Sequence, residues 1–240
     1  MVSVKRVYEV LKDLANKEQR GFISPAEFNS MAPVAQMAIY RKMWGEVLAA
    51  EQLRMTNDGG RDFSKVNDVR EELSMYMKSS TRDRQSDSLK YTYPDDFYKL
   101  SSAKTYGSVL MGVTTSIPIE ILYEPHRVDY MLNSKLSAPS LSKPVALVSD
   151  FLEVYPNSIK KIDIRYYKLP EGIRSDGVKT PSQPQFNYTT VAGDEVYDAS
   201  TSIDFELPKD REEELVVELA TMIGTALRDA AVMSYGKQQA

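Results

Sequence analysis

The apolar residues of this chain change period twice, and that switch limits the folds open to it. Val4, Val7, Tyr8, Leu11, Leu14 and Ala15 recur at helical spacing, as do Val69, Leu73, Tyr76 and Met77 further on. From Leu89 to Leu169 the pattern mostly alternates and is rich in Val, Ile, Thr and Tyr, the signature of strands. Leu215, Leu219, Met222, Ile223, Ala226, Leu227 and Ala230 then restore a helical stripe. A chain that leaves a helical layer and later returns to it implies a helical domain interrupted by an insertion. The expected fold class is α+β: a helical bundle of three N-terminal helices plus a long C-terminal helix, with a β-rich insertion in the middle. Residues 1–80 and 203–240 form the helical domain in this reading, 89–169 the inserted β-rich domain, and 170–202 an extended loop or docking arm.

Local signals refine these elements. The segment NKEQRGFISPAEFN, Asn16–Asn29, separates the first two helices. It runs close to a calcium loop, with Asn16, Glu18, Gly21, Ile23 and Glu27 at positions where the EF-hand pattern has ligands, its glycine and an apolar residue. Arg20 occupies a ligand position and brings a repelling charge, so the metal reading fails on ligand count. A helix corner accounts for the same residues. Gly21 allows the tight turn, Ser24 is suited to the N-cap, Pro25 to the first helical position, and Glu27 to closing a capping box. Ile23 and Phe28 then fit a hydrophobic staple. The second helix is expected to reach about Arg54 with a bend at Pro33, which has no amide for the ladder. Asn57–Gly60 reads as a loop, and a third helix fits about residues 67–79. Thr81–Ser88 is polar and suits a linker.

In the middle region the candidate strands are Lys99–Tyr106, Ser108–Thr115, Ile117–Leu122, Val145–Val148, Leu152–Tyr155 and Ile159–Lys168. The fourth and fifth form a hairpin around Ser149-Asp150, and a brief helix over about Pro125–Asn133 interrupts the strands. Pro170–Ser202 is long for a structureless connection and is expected to reach toward a partner. The last helix begins near Leu207-Pro208. Lys209–Glu214 reads as a solvated start whose acidic residues complement the helix dipole.

Composition narrows the chemistry. The chain has 240 residues, 42% hydrophobic and 27% charged, which is a globular composition. It has no cysteine, so disulfides, thiolate zinc sites and cysteine nucleophiles are excluded. Its single histidine, His126, would have to serve any Ser-His-Asp triad, and no serine lies in a G-x-S-x-G context. Asp95-Asp96 are adjacent on a turn, which suits capping better than a shared proton or metal. There is no P-loop or dinucleotide fingerprint, and no apolar run approaches a bilayer span. The segment Met1–Val10 carries Lys5, Arg6 and Glu9 and lacks a signal-peptide core, so the chain is expected to be soluble and intracellular. The net charge of −4 lacks the basic balance of a sequence-reading DNA binder. No catalytic, cofactor-binding or metal-ligating residue is assigned. Fifteen tyrosines favour wet interfaces, and Phe186 and Tyr188 in the long loop are read as contact residues together with Glu212, Glu213 and Arg228 on the terminal helix.

The ordered stretches resemble a family of virion structural proteins of tailed phages, the head-to-tail connector or ring proteins of crAss-like and related podoviruses. The resemblance rests on NKEQRGFISPAEFN, on Leu89–Leu100, on IPIEILYEPHRVDYMLN from Ile117, on KPVALVSDFLEVYP from Lys143, on IDIRYYK from Ile162 and on SIDFELP from Ser202. It implies a non-enzymatic subunit of a ring of about twelve copies, closed by heterologous interfaces. That ring would sit in the neck between the portal protein and the adjacent tail proteins, in a virion assembled from subunits made in the host cytoplasm. Double-stranded DNA would pass through the channel without sequence-specific binding, since a mildly acidic subunit makes few counterion-releasing phosphate contacts. No membrane and no cofactor enter this expectation. The alternatives are another tail or capsid accessory protein, a small hydrolase built on His126, and a degenerate calcium binder.

Overall fold

A computed structural model describes residues 1–17, 23–55, 63–85, 88–110, 113–171, 173–174, 183–191 and 194–226. The chain divides into two compact units, the first made of Met1–Glu72 with Pro170–Ala240 and the second of Leu73–Leu169.

Unit 1 is built on helices α1 (Val4–Lys17), α2 (Pro25–Met55) and α5 (Glu212–Ala226). The apolar stripe read from the sequence is the buried one on α1, where Val4, Val7, Tyr8, Leu11 and Ala15 face inward. Helix α2 buries Phe28, Ala32, Ala35, Ile39, Tyr40, Met43 and Val47, and it runs as one element through Pro33. Helix α5 packs Leu215, Leu219, Ala220 and Ile223 into the same core. A 3-10 turn, Lys209–Arg211, leads into α5. The short strands β8 (Ile173–Arg174) and β11 (Ile203–Asp204) pair antiparallel, as do β9 (Tyr188–Val191) and β10 (Asp194–Tyr197).

Helix α3 (Phe63–Ser74) leads across the boundary into unit 2, and a strand follows it almost at once. Unit 2 is a seven-stranded sheet in the order β1-β7-β3-β4-β5-β6-β2. Its strands are β1 (Met77–Asp83), β2 (Lys90–Tyr91), β3 (Phe97–Leu110), β4 (Val113–Leu122), β5 (Val145–Val148), β6 (Leu152–Tyr155) and β7 (Lys161–Lys168). All neighbours are antiparallel except β4 and β5. That parallel step needs a crossover, and α4 (Pro125–Asn133) lies within it, covering Leu122 and Val145 with Val128. Period-2 burial is plain on β7, where Ile162, Ile164, Tyr166 and Lys168 are buried and Lys161 and Arg165 exposed. The buried face joins Leu100, Ala103, Ile119, Ala146, Leu152 and Val154 in one core.

The expected helical bundle with a β-rich insertion is therefore wrong. The chain is a mixed α/β protein in which the seven-stranded sheet is a principal element and strands also occur in unit 1. The third helix ends at Ser74 rather than near Ser79, and Thr81–Asp83, expected in a linker, continue β1. The physical reason lies in Met77–Thr81, whose apolar contribution fits a helical stripe while Ser79, Ser80 and Thr81 favour an extended edge. Tertiary pairing with β7 decided the matter, since all seven residues of β1 are in register with it. Lys99–Tyr106 and Ser108–Thr115, expected as separate strands, belong to the long hairpin of β3 and β4. The loop expected at Asn57–Gly60, and the terminal helix beyond Ala226, lie outside the described residues.

Two partly exposed carboxylates, Asp96 and Asp163, bond across the sheet. Tyr166 donates to Asp96 Oδ1 at 2.8 Å and Lys78 Nζ lies 2.5 Å from Asp96 Oδ2. Burial pushes the Asp96 carboxyl up, but the hydrogen bonds from Lys78 and Tyr166 and the Lys78 charge outweigh it and hold it below its ordinary 3.8. The hydrogen bond from Tyr106 is the main cause holding Asp163 below 3.8 as well, with Thr81 adding to it. Groups depressed on folding stabilise the native state above their unfolded pKa and lose that contribution as the pH falls through the folded value. Urea titrations between about pH 6 and pH 3 are expected to show stability falling as the pH drops below about 4. Asp96→Asn should flatten that fall; an unchanged acid limb would remove the carboxylate from the account.

Candidate interaction surfaces

The corner that opens α2 is held by reciprocal bonds. Ser24 Oγ accepts from the Glu27 amide at 3.2 Å, while Glu27 Oε2 accepts from the Ser24 amide at 3.0 Å and from Ser24 Oγ at 2.8 Å. This is a capping box with Pro25 at the first helical position. Those bonds to the Ser24 amide and hydroxyl hold the Glu27 carboxyl below its ordinary value. The carboxylate that an EF-hand would direct at calcium is thus spent on the helix start. Ile23 and Phe28, the proposed staple pair, are both buried, and the Tyr8 hydroxyl donates to the Ile23 carbonyl at 3.0 Å. Gly21 and Arg20 lie outside the described residues.

The arm read as a docking loop is anchored to its own unit. Asn29 Nδ2 donates to the Phe186 carbonyl at 2.9 Å, and the Phe186 amide donates to Asn29 Oδ1 at 2.7 Å. One side chain thereby supplies both main-chain bonds that a neighbouring strand would make. The Phe186 ring stacks on Tyr8 at 4.2 Å between centroids and also meets Phe28 and Tyr197. Phe186 is 6% exposed and so is a core residue of unit 1 rather than a free contact. Tyr188, two residues on, is 41% exposed. Of the acidic pair at the start of α5, Glu212 accepts from Arg6 Nε at 2.7 Å, and Glu213 lines a cavity of about 490 Å³ with Lys42, Asp210, Glu214 and Glu218. Arg228 lies outside the described residues.

The cation that matters most in this region is Arg211, which sequence reasoning placed in a solvated helix start. Its side chain is about 10% exposed. Its guanidinium reaches Glu46 through two nitrogens at 2.9 and 3.2 Å, Glu72 at 2.9 Å and Glu214 at 2.8 Å. Lys42 Nζ lies 3.3 Å from Glu214. Burial works against the charged guanidinium, and the bonds to Glu46 and Glu72 outweigh it, raising its pKa further. Nothing in the run KDREEE announces which cation goes inside; the partners Glu46 and Glu72 come from distant helices. Replacing Arg211 with Leu should destabilise unit 1 by about 3–5 kcal/mol, because three carboxylates lose their shared cation. A urea midpoint within error of wild type would show the cluster to be solvated. Asn29→Ala should cost less, about 1–3 kcal/mol, through the Phe186 main-chain groups left unpaired.

In unit 2 the exposed large apolar side chains are Met77, Tyr106, Tyr123, Tyr130, Leu132, Leu136 and Leu141; Tyr130 and Leu132 lie on α4, Tyr123 and Leu136 flank it in sequence, and Leu141 lines a cavity with Tyr106 and Ile117. Their signal in the sequence was weak, since Leu136 and Leu141 sit in a Ser- and Pro-rich loop without period. His126 stands on the first turn of α4, its ring largely exposed, with Nε2 3.4 Å from Glu124. Among the described residues no group of three or more His, Cys, Asp or Glu side chains could hold a metal ion, and no helix is long and apolar enough to cross a membrane.

The two units differ in charge. Unit 2 has thirteen Lys and Arg against ten Asp and Glu, a net +3, and unit 1 has seventeen against twenty-four, a net −7. No protein-family model matches the chain and no curated protein is detectably similar to it.

Proposed function

We propose that the chain is a structural subunit that assembles with copies of itself into a ring, in the manner of the phage head-to-tail connectors it resembles, in the neck between portal and tail. The observation that carries the reading is the opposite net charge of its two units, −7 and +3. Two units of opposite net charge on one chain favour head-to-tail association, which closes into a ring when each step is a fixed rotation. The exposed apolar side chains beside α4 add a surface suited to a neighbouring layer of the assembly. The role of the subunit is geometric: it spaces and orients its neighbours around a channel through which DNA passes, and it performs no bond chemistry.

The test is the mass and shape of the purified chain. Light scattering and negative-stain microscopy at about 100 mM salt should give closed rings, and raising the salt toward 1 M should dissociate them, because exposed charges are screened within a few ångströms there. A monomer at every concentration and salt would overturn the proposal. Microscopy of the virion with symmetry resolved at this layer should then place the ring at the portal vertex, and duplex DNA should not shift with the ring at physiological salt.

A further inference from the structure

The sheet of unit 2 is rolled. Strands β1 and β2 are its outermost members, which a flat sheet of this size would hold about 29 Å apart. Instead the Gln85 amide, just past the end of β1, donates at 3.0 Å to the carbonyl of Lys90, the first residue of β2. The two edges meet at that end, and the sheet forms a nearly closed barrel filled by Leu100, Ile119, Ile162, Ile164 and their neighbours. At the same end β7 begins, with Lys161 opposite Asp83. The hairpin of β3 and β4 runs on past the start of β5, since Val145 is level with Glu120. The inner face of that hairpin forms one wall of the barrel mouth.

A cavity of about 560 Å³ occupies this mouth, a common place for a ligand pocket and a volume in the usual range. Thr115 and Ile117 line it from the hairpin, Leu141 and Ser142 from the segment before β5, and Lys160 and Lys161 from the entry to β7. Ile159, buried in the barrel core, joins the cavity to that core. The floor is apolar and the rim cationic. Lys160 and Lys161 are exposed, and neither makes an ion pair among the described residues. Among those residues no carboxylate lines the cavity. The acids nearest in the ladder do not fill that role. Asp163 is held by Tyr106, Thr81 and Lys104, and Asp83, opposite Lys161, is not part of the lining. Arg84, a further cation at this end, is committed to Asn157.

We propose that the barrel mouth binds an acidic peptide segment of a partner protein. An apolar side chain of that segment sits among Ile117, Leu141 and Ile159, and a flanking carboxylate meets Lys160 and Lys161. The hydroxyls of Thr115 and Ser142 can donate to the same carboxylate. An inorganic anion would leave the apolar wall uncovered, and a purely apolar ligand would strip water from two ammonium groups without replacing it. The cavity is open on one side, which suits a segment of a longer chain better than a small molecule buried on most sides. The site lies wholly within unit 2 and does not depend on ring closure.

The experiment uses the full chain and a short fluorescein-labelled peptide of alternating leucine and glutamate, followed by anisotropy at about 100 mM salt. Wild type should bind it and bind the glutamine analogue at least about fivefold more weakly. Lys160→Ala combined with Lys161→Ala should weaken binding about fivefold to tenfold, as two exposed ion pairs are lost. Leu141→Ala should weaken it about threefold through lost apolar contact. All three side chains are exposed, so the urea midpoint should stay at the wild-type value. Lys99→Ala combined with Lys135→Ala removes two exposed lysines of the same unit outside the cavity and should leave binding unchanged. An equal loss there would show diffuse attraction to a basic unit and overturn the site. Equal binding of the glutamine analogue would overturn it too, as would no binding by wild type. Octanoate binding more tightly than the peptide, with the same lysine dependence, would assign the mouth to a small organic acid and overturn the peptide partner.

Discussion

The closure of unit 1 depends on a buried cation. The chain leaves this unit after Glu72 and re-enters it at Pro170, so helices distant in sequence must be joined by contacts that repay a long loop. Arg211 does this by taking Glu46 from α2, Glu72 from α3 and Glu214 from α5 into one cluster. A buried ion pair of this kind adds little net stability over a well-packed apolar substitute, but it is demanding in geometry and severe when broken. Two further bonds of long sequence separation work beside it. Gln36 on α2 accepts from the Glu206 amide, and Asp204 accepts from the Val4 amide at the start of α1. Each places a returning residue at one position on an N-terminal helix, and the aromatic cluster of Tyr8, Phe28, Phe186 and Phe205 fills the space between them.

Much of the local structure was legible in the sequence because it is decided locally. The capping box needs only Ser24, Pro25 and Glu27, and α4 occupies the residues its pattern indicated. The hairpin of β5 and β6 follows from two short apolar runs about Ser149-Asp150. What was not legible depends on partners far away in the chain. Whether Met77–Asp83 is helix or strand is settled by β7, about eighty residues on. Reading Met77–Ser79 as the end of a helix and Thr81–Asp83 as linker hid the edge of the sheet and made the helical part of the fold look dominant.

The candidate surfaces divide the same way. Aromatic character drew attention to Phe186 and Tyr188 together, yet the Asn29 clamp and the stack on Tyr8 bury the first, while the second begins β9 and stays exposed. Charge drew attention to the start of α5 as a solvated edge, whereas Arg211 there is committed inward and only its neighbours face solvent. Composition identifies residue types suited to an interface; burial decides which of them remain available to one.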